Sequence, residues 1–168
     1  VYARKSIQFS RENYEFSIES SLQKDGKVLP HFIAWQSGFG DQSIPNDPSK
    51  SHVVYQSDAT FKRLNLGSIK GPQDMAVARI GVEDQYFLAM FLLPQGAASV
   101  KINKADYAGS DGKAISTTYV AVPSVESHSL GVYVGPKVQQ SLQRADPLLA
   151  AVIDYGFFQV ITRPLVFA

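Results

Sequence analysis

The sequence predicts a mainly β protein, an antiparallel β-sandwich closed by short C-terminal helices. Three observations carry that expectation. Most of the chain alternates apolar and polar residues with a period of two. Gly and Pro punctuate it at close, near-regular intervals, at Gly71-Pro72, Pro94-Gln95-Gly96, Gly109-Ser110-Asp111-Gly112 and Pro123. Helical periodicity is confined to the tail, so no crossover helices are available to build a parallel sheet.

Taken in order, Tyr14, Phe16 and Ile18 share one strand face, and Glu15, Ser17 and Glu19 share the other. Lys24-Asp25-Gly26-Lys27 is a hairpin signal, because Asp-Gly tolerates the positive φ of a tight turn. The return strand is expected over Val28 to Gln36, with Pro30 near an edge or at its start, since Pro donates nothing to a ladder. Ser37 to Ser51 reads as a long polar loop, a length usually tied to function or motion. Further strands are expected at His52–Gln56, Ala59–Leu66, Met75–Val82, Gln85–Leu93, Ser99–Asn103, Ala114–Val122 and Ser127–Val134.

The sandwich is expected over residues 1–134 and a helical segment over 135–168. Gly135-Pro136 suggests a helix start, with Pro where its missing N–H costs nothing. Val138, Leu142 and Ala145 then line one face. Asp146-Pro147 restarts the helix with Asp146 as N-cap. After the break at Asp154-Tyr155-Gly156, the residues Phe157, Phe158, Ile161 and Leu165 fall on one helical face, with Arg163 at its polar edge and Pro164 set to kink it. Four such side chains left in water would be costly, at roughly 1.5–3 kcal/mol each. They dock on the sandwich, meet a partner or lie on a bilayer. An end at Ala168 inside an apolar segment reads as the edge of something larger.

Composition narrows the function. At 168 residues, with 45% apolar and 18% charged, the chain is long enough for a sizeable core. Sixteen Lys+Arg against fifteen Asp+Glu leave a net charge of +1, with no basic cluster to mark a nucleic-acid partner. No cysteine is present, which excludes disulfides, thiolate metal sites and a Cys nucleophile. The longest apolar run, Tyr86 to Leu93, is far short of the ~18 residues of a membrane span and reads as a buried strand.

His31, His52 and His128 lack helical metal spacing, and Glu83-Asp84 is the only adjacent acid pair, best placed in a turn. No hydrolase elbow, phosphate loop, dinucleotide fingerprint or metalloprotease helix occurs. An enzyme is not expected, and no metal or other cofactor is implied. The strand aromatics Tyr14, Phe16, Trp35, Phe39, Tyr55, Tyr86, Phe87 and Tyr107 fit either a core or a groove. As a groove, Trp35, Phe39 and Tyr86 would suit a sugar or an extended peptide.

Tyr133-Val134-Gly135-Pro136-Lys137, with Gln140 after it, resembles a "W/Y-x-GP-K/E" element of the large periplasmic domain of YidC membrane insertases. Asp154-Tyr155-Gly156-Phe157-Phe158 followed by Arg163-Pro164-Leu165 is similar to that family's "D-Y/F-G-W/F … P-L" segment, and Gln85-Tyr86-Phe87 to its "Q-Y-F" strand. The resemblance runs from about Ile7 to the end. It implies a twisted supersandwich of mutarotase-like type on the periplasmic side of the bacterial inner membrane, with no catalytic residues. It further implies, as partners, the rest of the insertase, the inner membrane, nascent membrane proteins and Sec translocon accessory subunits. The terminal helix (Phe157, Phe158, Ile161, Arg163, Leu165) would be the membrane or partner contact. The family's domain is usually considerably longer, the difference lying before Val1: either the lineage has a short domain or N-terminal strands are missing, and in the latter case an exposed, unpaired sheet edge or an incompletely covered apolar face is expected. The competing reading is a carbohydrate- or peptide-binding sandwich. A mutarotase-like enzyme would need a convergent His and carboxylate, which the sequence does not place.

Overall fold

Each half-buried strand needs a partner face, and the chain supplies two. In the structure, a computed structural model, residues 1–36, 52–58, 60–65, 68–93, 98–108, 112, 114–124 and 129–153 are described. Their strands are β1 (Tyr2–Phe9), β2 (Glu15–Lys24), β3 (Lys27–Val28), β4 (Phe32–Gln36), β5 (His52–Ser57) and β6 (Thr60–Asn65). Then come β7 (Gln73–Val77), β8 (Arg79–Glu83), β9 (Phe87–Leu92), β10 (Ala98–Ala108), β11 (Ala114–Pro123) and β12 (Leu130–Pro136). Helix α1 (Gln139–Ala145) and a 3-10 helix (Pro147–Val152) follow. The large sheet runs β1-β2-β12-β9-β8-β5-β6, with β3 also on β2, and the small sheet runs β4-β11-β10-β7. Every pairing is antiparallel. The architecture is a mainly β sandwich of two antiparallel sheets.

The large sheet is covered on both faces, which makes the molecule three layers deep. Val53, Ile80, Val82, Ala89, Phe91 and Val132 face the small sheet and pack with its Ile33, Val100, Ile102, Val120 and Val122. Val54, Leu88, Met90 and Tyr133, one position out of phase, face the helices and meet Leu142, Leu149 and Val152. Strict alternation on β9 therefore sends apolar side chains both ways, and Phe87–Leu92 reads as a continuous apolar run for that reason.

The Asp-Gly hairpin forms as its composition dictates. Asp25 (φ 51°) and Gly26 (φ 75°) turn β2 into β3, pairing Lys24 with Lys27.

Elsewhere the chain departs from expectation. Val28–Gln36 is not one strand: Pro30 ends the pairing of β3 with the large sheet, and β4 joins the small one. Met75–Val82 also divides, with β7 in the small sheet and β8 in the large, turning at Ala78. Tyr14 does not share a face with Phe16 and Ile18. It precedes β2 and lies edge-on to Tyr133, with ring centroids 6.4 Å apart, on the helical side. Pro136 is the last residue of β12 rather than the first of a helix, and α1 is preceded by Val138. Leu142 is the buried residue of α1, whereas Val138 is exposed. Asp146 does cap the next helix, its carboxylate accepting from Leu148 N at 2.9 Å.

β1 forms one margin of the large sheet, and all eight of its residues are exposed. Phe9 packs on Phe16 of β2 at 5.3 Å between centroids, yet remains 70% exposed because the four-stranded sheet is narrower than the one it covers.

Candidate functional site

The helical cap over the large sheet is held to it by polar and ionic contacts between residues far apart in sequence. Glu83, at the end of β8, has a side chain only 2% exposed and meets Arg63 of β6 at 2.5 Å and Lys137 at 3.3 Å. Arg63 reaches on with its other nitrogen to the Val152 carbonyl at 2.6 Å, joining the sheet to the end of the 3-10 helix. A carboxylate so enclosed is tolerable only with cationic donors on it, and here two arrive from positions 20 and 54 residues away.

A second tie lies beside it. Arg79 Nε donates to Asp146 at 2.7 Å, and its Nη1 donates to Gln56 Oε1 at 2.5 Å. Asp146 thus serves Arg79 and the helix N-terminus together. Beneath α1, Tyr133 is fully buried and donates its hydroxyl to the Pro136 carbonyl at 2.7 Å, fixing the bend where β12 leaves the sheet. Burial pushes that phenol up to about 12, helped by the nearby Tyr14 and Glu15. Burial also raises the Glu15 carboxyl above its ordinary value; the hydrogen bond from Asn13 opposes the rise and the charge of Asp146 adds to it.

Two glycines admit the close approaches this region needs. A Cβ on Gly81 would lie 1.9 Å from the Ala89 carbonyl oxygen. One on Gly135 would meet the Tyr14 ring at 2.6 Å. The cap can therefore hold the chain's exit direction from the sheet but presents no reactive group of its own.

The residues singled out from sequence fall in different places. Trp35 is on β4, partly buried against the core between the sheets, and Tyr86 is 65% exposed in the turn between β8 and β9. Phe39 lies outside the described residues, as do His128, Phe157, Phe158, Ile161, Arg163 and Leu165. His52 is on β5, and His31 stands just before β4. Among the described residues, no group of three or more His, Cys, Asp or Glu is placed to hold a metal ion, and no helix is long and apolar enough to cross a membrane. Sequence reasoning missed the Arg63–Glu83–Lys137 cluster. Of the pair Glu83-Asp84 expected in a turn, Glu83 instead ends β8, and its place directly after the apolar Ile80-Gly81-Val82 was the available signal.

The described residues thus form a two-sheet sandwich with a helical cap clamped across one face of the large sheet. The chain belongs to the YidC periplasmic domain family, whose sequence model matches residues 1–168. Several relatives share the name membrane protein insertase YidC. That of Syntrophobacter fumaroxidans is 45% identical, over 99% of this chain and 32% of its own length. That of Paraburkholderia phymatum is 25% identical over 96% of this chain and 32% of its own length. The protein from Buchnera aphidicola is 25% identical over 93% and 30%. The chain thus spans about a third of the length of these relatives.

Proposed function

We propose that this chain is the periplasmic part of an inner-membrane protein insertase, a non-catalytic scaffold and partner-binding surface that assists membrane protein insertion and folding, with or without the Sec translocon. The observation that carries this reading is the family match along all of residues 1–168. The clamped cap supports it. Three residues of the helical segment, Leu142, Leu149 and Val152, are fully buried against the large sheet, each adding roughly 1.5–3 kcal/mol of gross burial energy. A segment leaving a cap so held would keep a defined direction with respect to the sandwich. In this reading the face formed by Phe157, Phe158, Ile161 and Leu165, edged by Arg163, meets the bilayer or a partner. For a partner, the concave surface at hand is a cavity of about 550 Å³ between the end of β5 and β7, walled by Tyr55 and Met75.

The test is made in the complete insertase. Removing residues 157–168 while keeping the flanking chain in register should impair insertion of a client and leave the sandwich folded, as judged by protease resistance of 1–153. Unchanged insertion would remove the terminal face from the reading.

A further inference from the structure

Near Pro30, where the chain changes sheets, a line of polar contacts ties the two sheets together, and insertion makes no use of it. Ser20 is on β2, His31 immediately precedes β4, and Ser124 immediately follows β11, so residues 104 positions apart converge. Ser20 Oγ lies 2.8 Å from His31 Nε2 and 2.8 Å from Ser124 Oγ. On the far side of the ring, His31 Nδ1 lies 3.2 Å from the Leu29 carbonyl oxygen.

The directions of these bonds follow from one group. A carbonyl oxygen only accepts, so in the neutral ring Nδ1 carries the proton and donates to Leu29. Nε2 is then a bare lone pair, and the Ser20 hydroxyl donates to it. The Ser124 hydroxyl has two acceptors within reach, Ser20 Oγ at 2.8 Å and the Ser20 carbonyl oxygen at 3.3 Å. A serine hydroxyl on an imidazole lone pair, with the other ring nitrogen held by an acceptor, is the nucleophile–base–orienter order of acyl-transfer sites. The group opens on a surface cavity of about 290 Å³ whose apolar wall is Val28, Leu29 and Pro30.

We propose that Ser20 is an activated nucleophile with His31 as its general base, in a site that takes a small ester or comparable acyl electrophile. In the step, Ser20 Oγ bonds to the acyl carbon as its proton passes to His31 Nε2. The ester's C–O bond then breaks, and the departing alkoxide takes that proton and leaves as an alcohol. Ser124 Oγ, 2.8 Å from Ser20 Oγ, stands beside the oxygen where charge changes. Insertion itself needs no nucleophile, so this inference leaves the insertase reading standing and replaces only its description of the domain as non-catalytic; the two fail separately.

The experiment treats the folded 168-residue chain with an alkyl fluorophosphonate, from which a serine oxygen displaces fluoride, and maps the adduct by peptide mass spectrometry. The expected result is one adduct per chain, on Ser20, formed roughly 100-fold more slowly in His31→Gln. Should His31→Gln fail to fold, the unaltered chain decides: the Ser20 adduct must be lost when labelling is done in urea. Adducts scattered over several serines, an adduct indifferent to urea or to His31→Gln, or none at all, would leave Ser20, His31 and Ser124 as a clasp between sheets and overturn the proposal.

Discussion

Glu83 and Arg63 meet at 2.5 Å although the carboxylate side is 98% withdrawn from water and the guanidinium keeps 27% exposure. That asymmetry decides what each side chain is worth. The carboxylate depends on its cations more than they depend on it, because the exposed part of Arg63 can recover hydration and an enclosed Glu83 cannot.

Removing one partner should therefore be most costly from the inside. Arg63→Ala is expected to destabilise by about 3 kcal/mol, leaving Lys137 to offset the Glu83 charge from 3.3 Å, and Lys137→Ala by less, because Arg63 stays at 2.5 Å. Urea denaturation of both variants checks the order; equal losses would contradict it.

The exposed pair Lys101–Asp74 gives the contrast. Its N···O distance is 2.9 Å, but its side chains are 48% and 61% exposed. Asp74→Ala should change stability by no more than about 0.5 kcal/mol, in the same denaturation assay. Lys101 keeps its place over the Phe32 ring, 5.5 Å from the centroid.

Gly81 and Gly135 both forbid a side chain, but not equally. A methyl on Gly81 strikes the Ala89 backbone at 1.9 Å, which cannot move without breaking the β8–β9 ladder. Gly81→Ala should cost at least about 3 kcal/mol or prevent folding. Gly135→Ala meets Cβ and Cγ of Tyr14 at 2.6 Å and the buried Tyr133 hydroxyl at 3.0 Å, side-chain atoms rather than backbone but close to their root, and should cost about 2 kcal/mol. Thermal melts of the pair measure the difference.

Tyr133 sets an alkaline limit. Its folded pKa of about 12 lies above the ordinary tyrosine value of 10.0, so the unfolded chain releases this proton first. The contribution is fully present below pH 10 and is lost as pH rises toward 12, on the order of 2–3 kcal/mol across that window. Tyr133→Phe should lose about 1 kcal/mol at neutral pH with the bond to Pro136, and then show a flatter decline between pH 10 and 12. Denaturation at several alkaline pH values provides the measurement.

Local chemistry was legible in the sequence, and long-range placement was not. Asp25-Gly26 announces its hairpin because the positive φ values need those residue types. Asp146 announces its cap for a similar reason. By contrast, Met75-Ala76-Val77-Ala78-Arg79-Ile80 runs on without Gly or Pro until Gly81, so nothing local shows the chain crossing between sheets at Ala78. Pro30 does mark a break in pairing, but not which sheet receives the next strand. The partners of Glu83 and Ser20 come from as far as 54 and 104 positions away, and their meeting depends on strand order, which periodicity leaves open. The helical face at Phe157–Leu165 was the clearest sequence feature of all, and it lies outside the described residues.

The double coverage of β9 bears on more than stability. Phe87-Leu88-Ala89-Met90-Phe91-Leu92 carries no charge, no Pro and no Gly, the composition that stacks into cross-β fibrils when chains meet with it bare. Leu88 and Met90 are shielded only once Leu142 and Leu149 have arrived, and those follow all of the described strands in sequence. During synthesis the helical cap is therefore a safeguard against self-association. Conditions that open it, such as loss of the Arg79–Asp146 tie, should reveal themselves first as thioflavin-positive aggregation rather than as soluble unfolded chain.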